Sequence, residues 1–181
     1  MTLFYGFILF LFSIFLLIIL FVNLSILQGI FSAAPWVPLS KKNLVNLIDS
    51  LGAEPEEVVY DLGSGDGRWL FYFARHSSAK SIKGFELSYL MFFVYCFKKL
   101  FRGYPQVTVE IKNFYKTSFS AADVVLCFLT PMAMKKLLPK LKKEMKPGAK
   151  LISYAFTLPQ MEPEQISKIS PKDIPIYRYR F

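Results

Sequence analysis

The chain has 181 residues, a formal net charge of +9, two cysteines and a single histidine, and 54% of its residues are apolar. That length holds one globular domain and an appendage, and it excludes a second domain. Cys96 and Cys127 lie inside apolar runs with neither a CxxC pairing nor a histidine nearby, which excludes a zinc framework or disulfide scaffold and leaves two core thiols of a reducing compartment. The charge favours acidic partners and anionic surfaces over cationic ones.

Leu3 to Val22 is a run of twenty uncharged residues. As a helix rising about 1.5 Å per residue it spans roughly the 30 Å hydrocarbon thickness of a bilayer, and it is read as a transmembrane helix. A cleaved signal peptide would need a basic n-region, a shorter apolar core and a small-residue cleavage site. Here no Lys or Arg precedes Lys41, and Ala33-Ala34 runs into Pro35. Because the first positive charges, Lys41 and Lys42, follow the span, a single-pass membrane protein with its globular part in the cytoplasm is expected. Residues 1–31 are then the anchor and its flank, 32–40 a hinge and 41–181 the domain. In the hinge Pro35 and Pro38 forbid helix continuation, and Trp36 suits the lipid–water interface.

Leu39 to Ser50 places Leu44, Val45, Leu47 and Ile48 at helical spacing, with Ser40 as a cap. Val58 to Leu62 predicts a strand that breaks into Gly63-Ser64-Gly65-Asp66-Gly67. Trp69 to Arg75 reads as a helix, Ser81 to Phe85 as a strand, Tyr89 to Phe101 as a helix stopped by Gly103 and Pro105, and Val107 to Ile111 as an alternating strand. Ala122 to Leu129 suits a central strand buried on both faces, with Asp123 in a structural role at its start. Met132 to Met145 predicts a lysine-rich helix interrupted or kinked near Pro139, and Lys150 to Phe156 another strand. Two short candidates lie near Gln165 to Ile169 and Ile176 to Phe181. Strands alternating with helices predict an α/β fold with a parallel, doubly wound sheet. His76, beside two serines at a helix end, is read as a solvated surface residue, which leaves histidine-dependent nucleophilic catalysis almost no material.

The helix from Tyr89 is apolar around its whole circumference, although a helix on a sheet buries one stripe. Its other face is expected to dock on the membrane, with Lys98, Lys99 and Arg102 meeting anionic headgroups, or else to meet a partner subunit or a deep core. The lysine-rich helix is expected on the opposite face of the sheet.

Glycines at 63, 65 and 67 directly after a buried strand keep Cβ atoms away from the carboxyl end of the sheet, which is a nucleotide-site geometry. The dinucleotide spacing would need glycine where Arg68 stands, and a P-loop would need a Gly-Lys-Ser/Thr that is absent. An acidic residue two positions before the first glycine, Asp61, suits a ligand without a pyrophosphate and with an ammonium group. S-adenosylmethionine is such a ligand. Glu86, at the end of the next strand and 25 positions after Asp61, is placed to accept from both ribose hydroxyls. After the third strand, Asn113 is a candidate for the adenine amino group and Phe114 for stacking on the ring. The cofactor-binding candidates are therefore Asp61, Gly63, Ser64, Gly65, Asp66, Gly67, Glu86, Asn113 and Phe114, with a turn-forming role an alternative for Asp66.

Val59-Tyr60-Asp61-Leu62-Gly63-Ser64-Gly65-Asp66-Gly67 resembles motif I of the seven-stranded class I methyltransferases, and Glu86 resembles their ribose-binding acid. The resemblance covers about residues 40 to 160. Adding the anchor, Pro35-Trp36-Val37-Pro38, Arg68 and the Tyr-Arg-Tyr-Arg tail, the chain is similar to the small membrane-anchored protein-lysine methyltransferases related to those acting on adenine nucleotide translocase and ATP synthase subunit c. The resemblance implies a doubly wound, mostly parallel, Rossmann-like methyltransferase sheet behind one transmembrane helix. The stretch after Phe156 is too short for the usual helix before the last two strands, so a shortened C-terminal hairpin is expected. Where such enzymes often carry Asp after the third strand, this chain has Asn113, whose carbonyl can still pair with an adenine amino group.

By the same resemblance Thr130 and Pro131, in the loop after the fourth strand, are candidates for the pocket that receives the nucleophile; Trp36, Tyr115 and Tyr154 are unranked pocket aromatics. The implied function is S-adenosylmethionine-dependent methylation of lysine in a membrane or membrane-proximal protein, with membrane lipid met through the N-terminal helix. The alternatives are methylation of a lipid, quinone or other small membrane-associated molecule, and a non-catalytic cofactor-binding module. A nucleic-acid substrate is not expected, because the lysines come without an aromatic platform.

Overall fold

Val58-Val59-Tyr60-Asp61-Leu62 is apolar on both alternating faces except at Asp61, a pattern satisfied by a strand covered on both sides. The computed structural model describes residues 2–31, 45, 57–168, 170–171 and 173–181. In chain order it contains α1 (Thr2–Phe31), β1 (Val58–Leu62), α2 (Arg68–His76), β2 (Ser81–Glu86), α3 (Tyr89–Leu100), β3 (Val107–Ile111) and a 3-10 turn (Phe114–Lys116). These are followed by β4 (Val124–Cys127), α4 (Pro131–Glu144), β5 (Lys150–Tyr154), β6 (Gln165–Ser167) and β7 (Ile176–Arg180). The seven strands lie in the order β3-β2-β1-β4-β5-β7-β6.

Strands β1 to β5 pair in parallel, with β1 between β2 and β4. β7 returns antiparallel between β5 and β6, the shortened hairpin that the sequence implies. The chain reverses its direction of travel across the sheet at β1, so a crevice opens beyond the carboxyl ends of β1 and β4. One layer of core joins Val59, Ile82, Val124 and Ile152 of the sheet to Leu70 and Phe71 of α2 and Tyr95 of α3. The other joins Tyr60, Phe85, Val125 and Leu151 to Met134, Leu137 and Leu141 of α4. The lysine-rich helix thus lies on the face opposite α3.

Several boundaries differ from the sequence reading for local physical reasons. α4 runs without interruption through Pro139, which is exposed, and the Lys135 carbonyl that loses its partner is on the same solvated face. β5 stops at Tyr154 because Ala155 takes a left-handed conformation, φ 73°. β4 is only four residues long, and Asp123 just before it donates its N–H to the Val58 carbonyl at 2.9 Å while its carbonyl accepts from the Lys150 N–H at 2.8 Å, so the pairing with both neighbours reaches one residue further. Cys96 and Cys127 are both free thiols, and burial pushes the Cys127 thiol up to about 12. The hinge at 32–40 and the predicted helix over 39–50 lie outside the described residues, except for Val45, which is helical. His76 is exposed, its Nδ1 2.8 Å from the Tyr72 carbonyl.

Asp123 closes the entry to the sheet. Its Oδ2 accepts from the Val58 N–H at 2.8 Å and its Oδ1 from Lys146 Nζ at 2.6 Å. Burial pushes this carboxyl up, but the hydrogen bonds from Lys146 and Val58 outweigh it and hold the group below the usual carboxylate range. Its stabilising contribution is therefore present above the ordinary carboxylate range and lost as pH falls through the depressed value. Asp123→Ala is expected to cost about 1–2 kcal/mol at neutral pH. Thermal melts in detergent would check it: the gap from the parent should close on acidification, and a gap independent of pH would contradict the assigned charge.

Candidate functional site

β1 carries Asp61 to the crevice by pairing it with Gly84 of β2 on one side and Leu126 of β4 on the other. The side chain is 4% exposed. Among the described residues no cationic side chain lies against it. Burial is the main cause that raises its carboxyl to about 7; the Ser64 hydroxyl opposes the rise and Glu86 adds to it. A buried carboxylate without a cation is costly, so the site is poised for a positively charged ligand group.

The loop above it depends on three left-handed glycines, Gly63, Gly65 and Gly67, at φ 84°, 54° and 71°. Gly63 and Ser64 donate their N–H groups to the Phe85 carbonyl at 2.9 and 3.1 Å, and Gly67 donates to the Ser64 carbonyl at 3.0 Å. Ser64 Oγ donates to the Asp61 carbonyl at 3.1 Å and packs directly on Gly84. A Cβ on Gly84 would run into Ser64 and lie 2.7 Å from Leu70 Cδ1, and a Cβ on Gly67 would lie 2.6 Å from Tyr95 Cδ2.

Glu86 serves the same loop. Its Oε2 accepts from the Gly65 N–H at 2.7 Å, and its Oε1 from the N–H groups of Leu87 at 2.8 Å and Ser88 at 2.7 Å. Oε1 is thereby filled, and one lone-pair direction remains on Oε2. As arranged, the carboxylate has room for one further donor, where the sequence reading has it accept from two ribose hydroxyls. Asp66 also holds the loop in place. It is 4% exposed, accepts from Arg68 Nε at 3.0 Å and Nη2 at 2.8 Å, and is bound by Lys98 Nζ. Burial raises its carboxyl, Arg68 and Lys98 outweigh that, and it stays ionised as a fixing point of the loop.

The remaining candidates sit on the β3 and β4 sides of the crevice. Asn113 Oδ1 accepts from the Tyr115 N–H at 2.9 Å and caps the 3-10 turn. Phe114 is packed into the core and is 6% exposed, its ring centre 4.5 Å from that of Tyr115. Thr130 caps α4 by accepting from the Ala133 N–H at 3.4 Å, and Pro131 fills its first turn, which places the two expected pocket residues at the start of that helix, just beyond β4. Tyr115 is half-buried and donates its hydroxyl to the Ala133 carbonyl at 3.3 Å. Trp36 lies outside the described residues.

Further residues of the site were not singled out by the sequence. Tyr95 of α3 braces Gly67 while its hydroxyl donates to the Val107 carbonyl at 3.2 Å. Lys98 reaches Asp66 across 32 positions, a pairing for which the sequence carries no local signal. At the ends of β4 and β5, Phe128 meets the buried Tyr154 edge-on at 5.1 Å and stacks on Phe156 at 6.2 Å, with Trp69 edge-on to Tyr154 at 6.1 Å. The left-handed Ala155 turns Phe156 back over Phe128, and Ser153 Oγ fixes that turn by donating to the Phe156 carbonyl at 2.6 Å.

A seven-stranded sheet of this order with an antiparallel seventh strand, a glycine loop after β1 and an acid closing β2 defines a Rossmann-like class I methyltransferase. The model of the ANTKMT methyltransferase domain matches residues 61–165, and the chain belongs to that family. It is 29% identical over 136 residues to a protein-lysine N-methyltransferase of Saccharolobus islandicus, covering 75% of this chain and 84% of the relative. It is 30% identical over 130 residues to the adenine nucleotide translocase lysine N-methyltransferase of Mus musculus, covering 71% of this chain but only 56% of that protein. Among solved structures, an RNA methyltransferase of Salinibacter ruber in complex with S-adenosylhomocysteine superposes with a TM-score of 0.74 at 26% identity, covering 80% of this chain and 93% of that one.

Because folding favours the protonated form of Asp61, the stability it contributes is full below its ordinary value of 3.8 and is lost as pH rises through about 7. Without ligand, Asp61→Asn should therefore gain in Tm relative to the parent between about pH 5 and pH 8. Parallel Tm–pH curves would show that Asp61 is already compensated. Gly84→Ala is expected to cost about 1–3 kcal/mol by overpacking, with partial recovery when Ser64→Gly is added.

Proposed function

We propose that this chain is an S-adenosylmethionine-dependent protein-lysine N-methyltransferase held at a membrane by α1. The observation that carries the cofactor is Asp61, a buried carboxylate with no cation against it among the described residues, beneath three left-handed glycines. The residues fit the group: Asp61 would take its ammonium, the Cβ-free loop would lie along its amino-acid portion, and the remaining lone pair of Glu86 would take a ribose hydroxyl. When bound, S-adenosylmethionine supplies a methyl group on a sulfonium, open to in-line attack by a neutral amine. Asp61 and Glu86 hold and orient, a positioning effect that contributes on the order of 7–11 kcal/mol in such reactions. The aromatic group of Trp69, Phe128, Tyr154 and Phe156 excludes water near the loop, which favours the neutral form of an entering lysine.

The lysine substrate is supported by the names of the relatives from Saccharolobus islandicus and Mus musculus. Membrane attachment is supported by α1, whose stretch Phe4–Leu24 is long and apolar enough to cross a bilayer. On this reading the chain divides as anchor, hinge and catalytic domain, with the domain on the cytoplasmic side. The Salinibacter ruber structure favours a second reading, RNA methylation. Incubating membranes and a total RNA fraction with the full chain and methyl-labelled cofactor separates the readings. Label recovered as methyllysine supports the proposal; label in RNA, lipid or quinone overturns it.

Asp61→Ala and Glu86→Ala should each weaken cofactor binding roughly 10- to 100-fold, the loss of a hydrogen bond to a charged group worth about 1.5–3 kcal/mol. Calorimetry on the detergent-solubilised chain reads this directly. Affinity of the parent should also rise between about pH 6 and pH 8 as Asp61 ionises, a dependence that Asp61→Asn removes.

A further inference from the structure

α3 has two apolar sides, and the domain uses one of them. Inward, Tyr95 and Lys98 brace the glycine loop. Outward, Phe93, Phe97, Leu100 and Phe101 stand 57%, 63%, 80% and 75% exposed, spaced by four, three and one positions along a single stripe. The stripe starts against α1: the Phe93 ring meets the Phe21 ring edge-on at 6.1 Å. Phe21 lies in the last turn of the apolar stretch Phe4–Leu24, the level at which hydrocarbon gives way to headgroups in a spanning helix.

We propose that α3 is a second membrane-contacting element, lying in the plane of the interface beside α1 with Phe93, Phe97, Leu100 and Phe101 in lipid. The proposal rests on the reading of α1 as a membrane span. Phe92, next to the stripe, packs on the core. The basic residues beside the stripe have partners within the fold. Lys98 turns inward to Asp66, Lys99 Nζ donates to the Val107 carbonyl at 2.7 Å, and the Arg102 guanidinium sits 5.0 Å above the Phe71 ring. Docking is accordingly driven by apolar area and does not require anionic lipid. Since Tyr95 touches Gly67 from the inward side, the glycine loop lies about one helix diameter, roughly 10–12 Å, from the bilayer border.

The test uses the full chain in phosphatidylcholine vesicles, with and without phosphatidylglycerol. A photoactivatable benzophenone amino acid replaces Phe12 of α1, Phe97, or Met132, which is 83% exposed on the opposite layer. Capture of acyl chains at positions 12 and 97 in both lipid mixtures, and not at 132, is the expected result. Capture at 12 without capture at 97 overturns the docking alone, as does cross-linking of position 97 to a second copy of the chain; no capture at 12 overturns the membrane reading of α1 and the docking with it. Hydroxyl-radical footprinting covers the unmodified chain. Phe97 and Phe101 should resist oxidation in vesicles while Ile166, 57% exposed on β6, is oxidised, and equal oxidation would sink the idea.

Discussion

The attachment of the glycine loop to the carboxyl end of β2 is the constraint on which the site depends. The Phe85 carbonyl takes two loop N–H groups and Glu86 takes a third, so the loop after β1 is held by the neighbouring strand as well as by its own turn. This contact requires that β2 have no side chain where Ser64 lands, which is the reason for Gly84. With the loop so held, Asp61 is closed off from solvent, and its raised carboxyl follows from that burial.

The same loop is fixed from a third side by α3, through Tyr95 against Gly67 and Lys98 on Asp66. α3 is thus the element between the candidate cofactor site and the outward apolar stripe that runs to α1. The lysines of α4 lie on the opposite layer, where Lys140 pairs with Glu144 at 2.6 Å and the Lys136 ammonium sits 4.5 Å from the Tyr115 ring centre. The two faces of the sheet therefore differ in character, one apolar and turned toward α1, the other basic and turned toward water.

Much of this was determined by the sequence alone. The order of strands and helices, the glycine loop with Asp61 before it, Glu86 at the end of the next strand and the two-sided apolarity of α3 all follow from spacing and residue type over short stretches, because periodicity, turn chemistry and helix stops are local effects. The class of fold follows from their alternation.

Only the tertiary structure decided what those residues do to one another. Asp66 anchors the loop because Lys98, 32 positions away, is brought onto it. Thr130 and Pro131 start a helix, and Phe114 is packed in the core. Of the apolar residues of α3, Tyr95 and Phe92 face inward and Phe93 and Phe97 outward, a choice set by where the helix axis settles on the sheet. The physical reason is common to all of them. Composition and spacing fix how a segment folds, whereas the partner of a charge or the cover on a ring depends on atoms brought together by strand pairing and packing between distant segments, and no local pattern encodes that proximity.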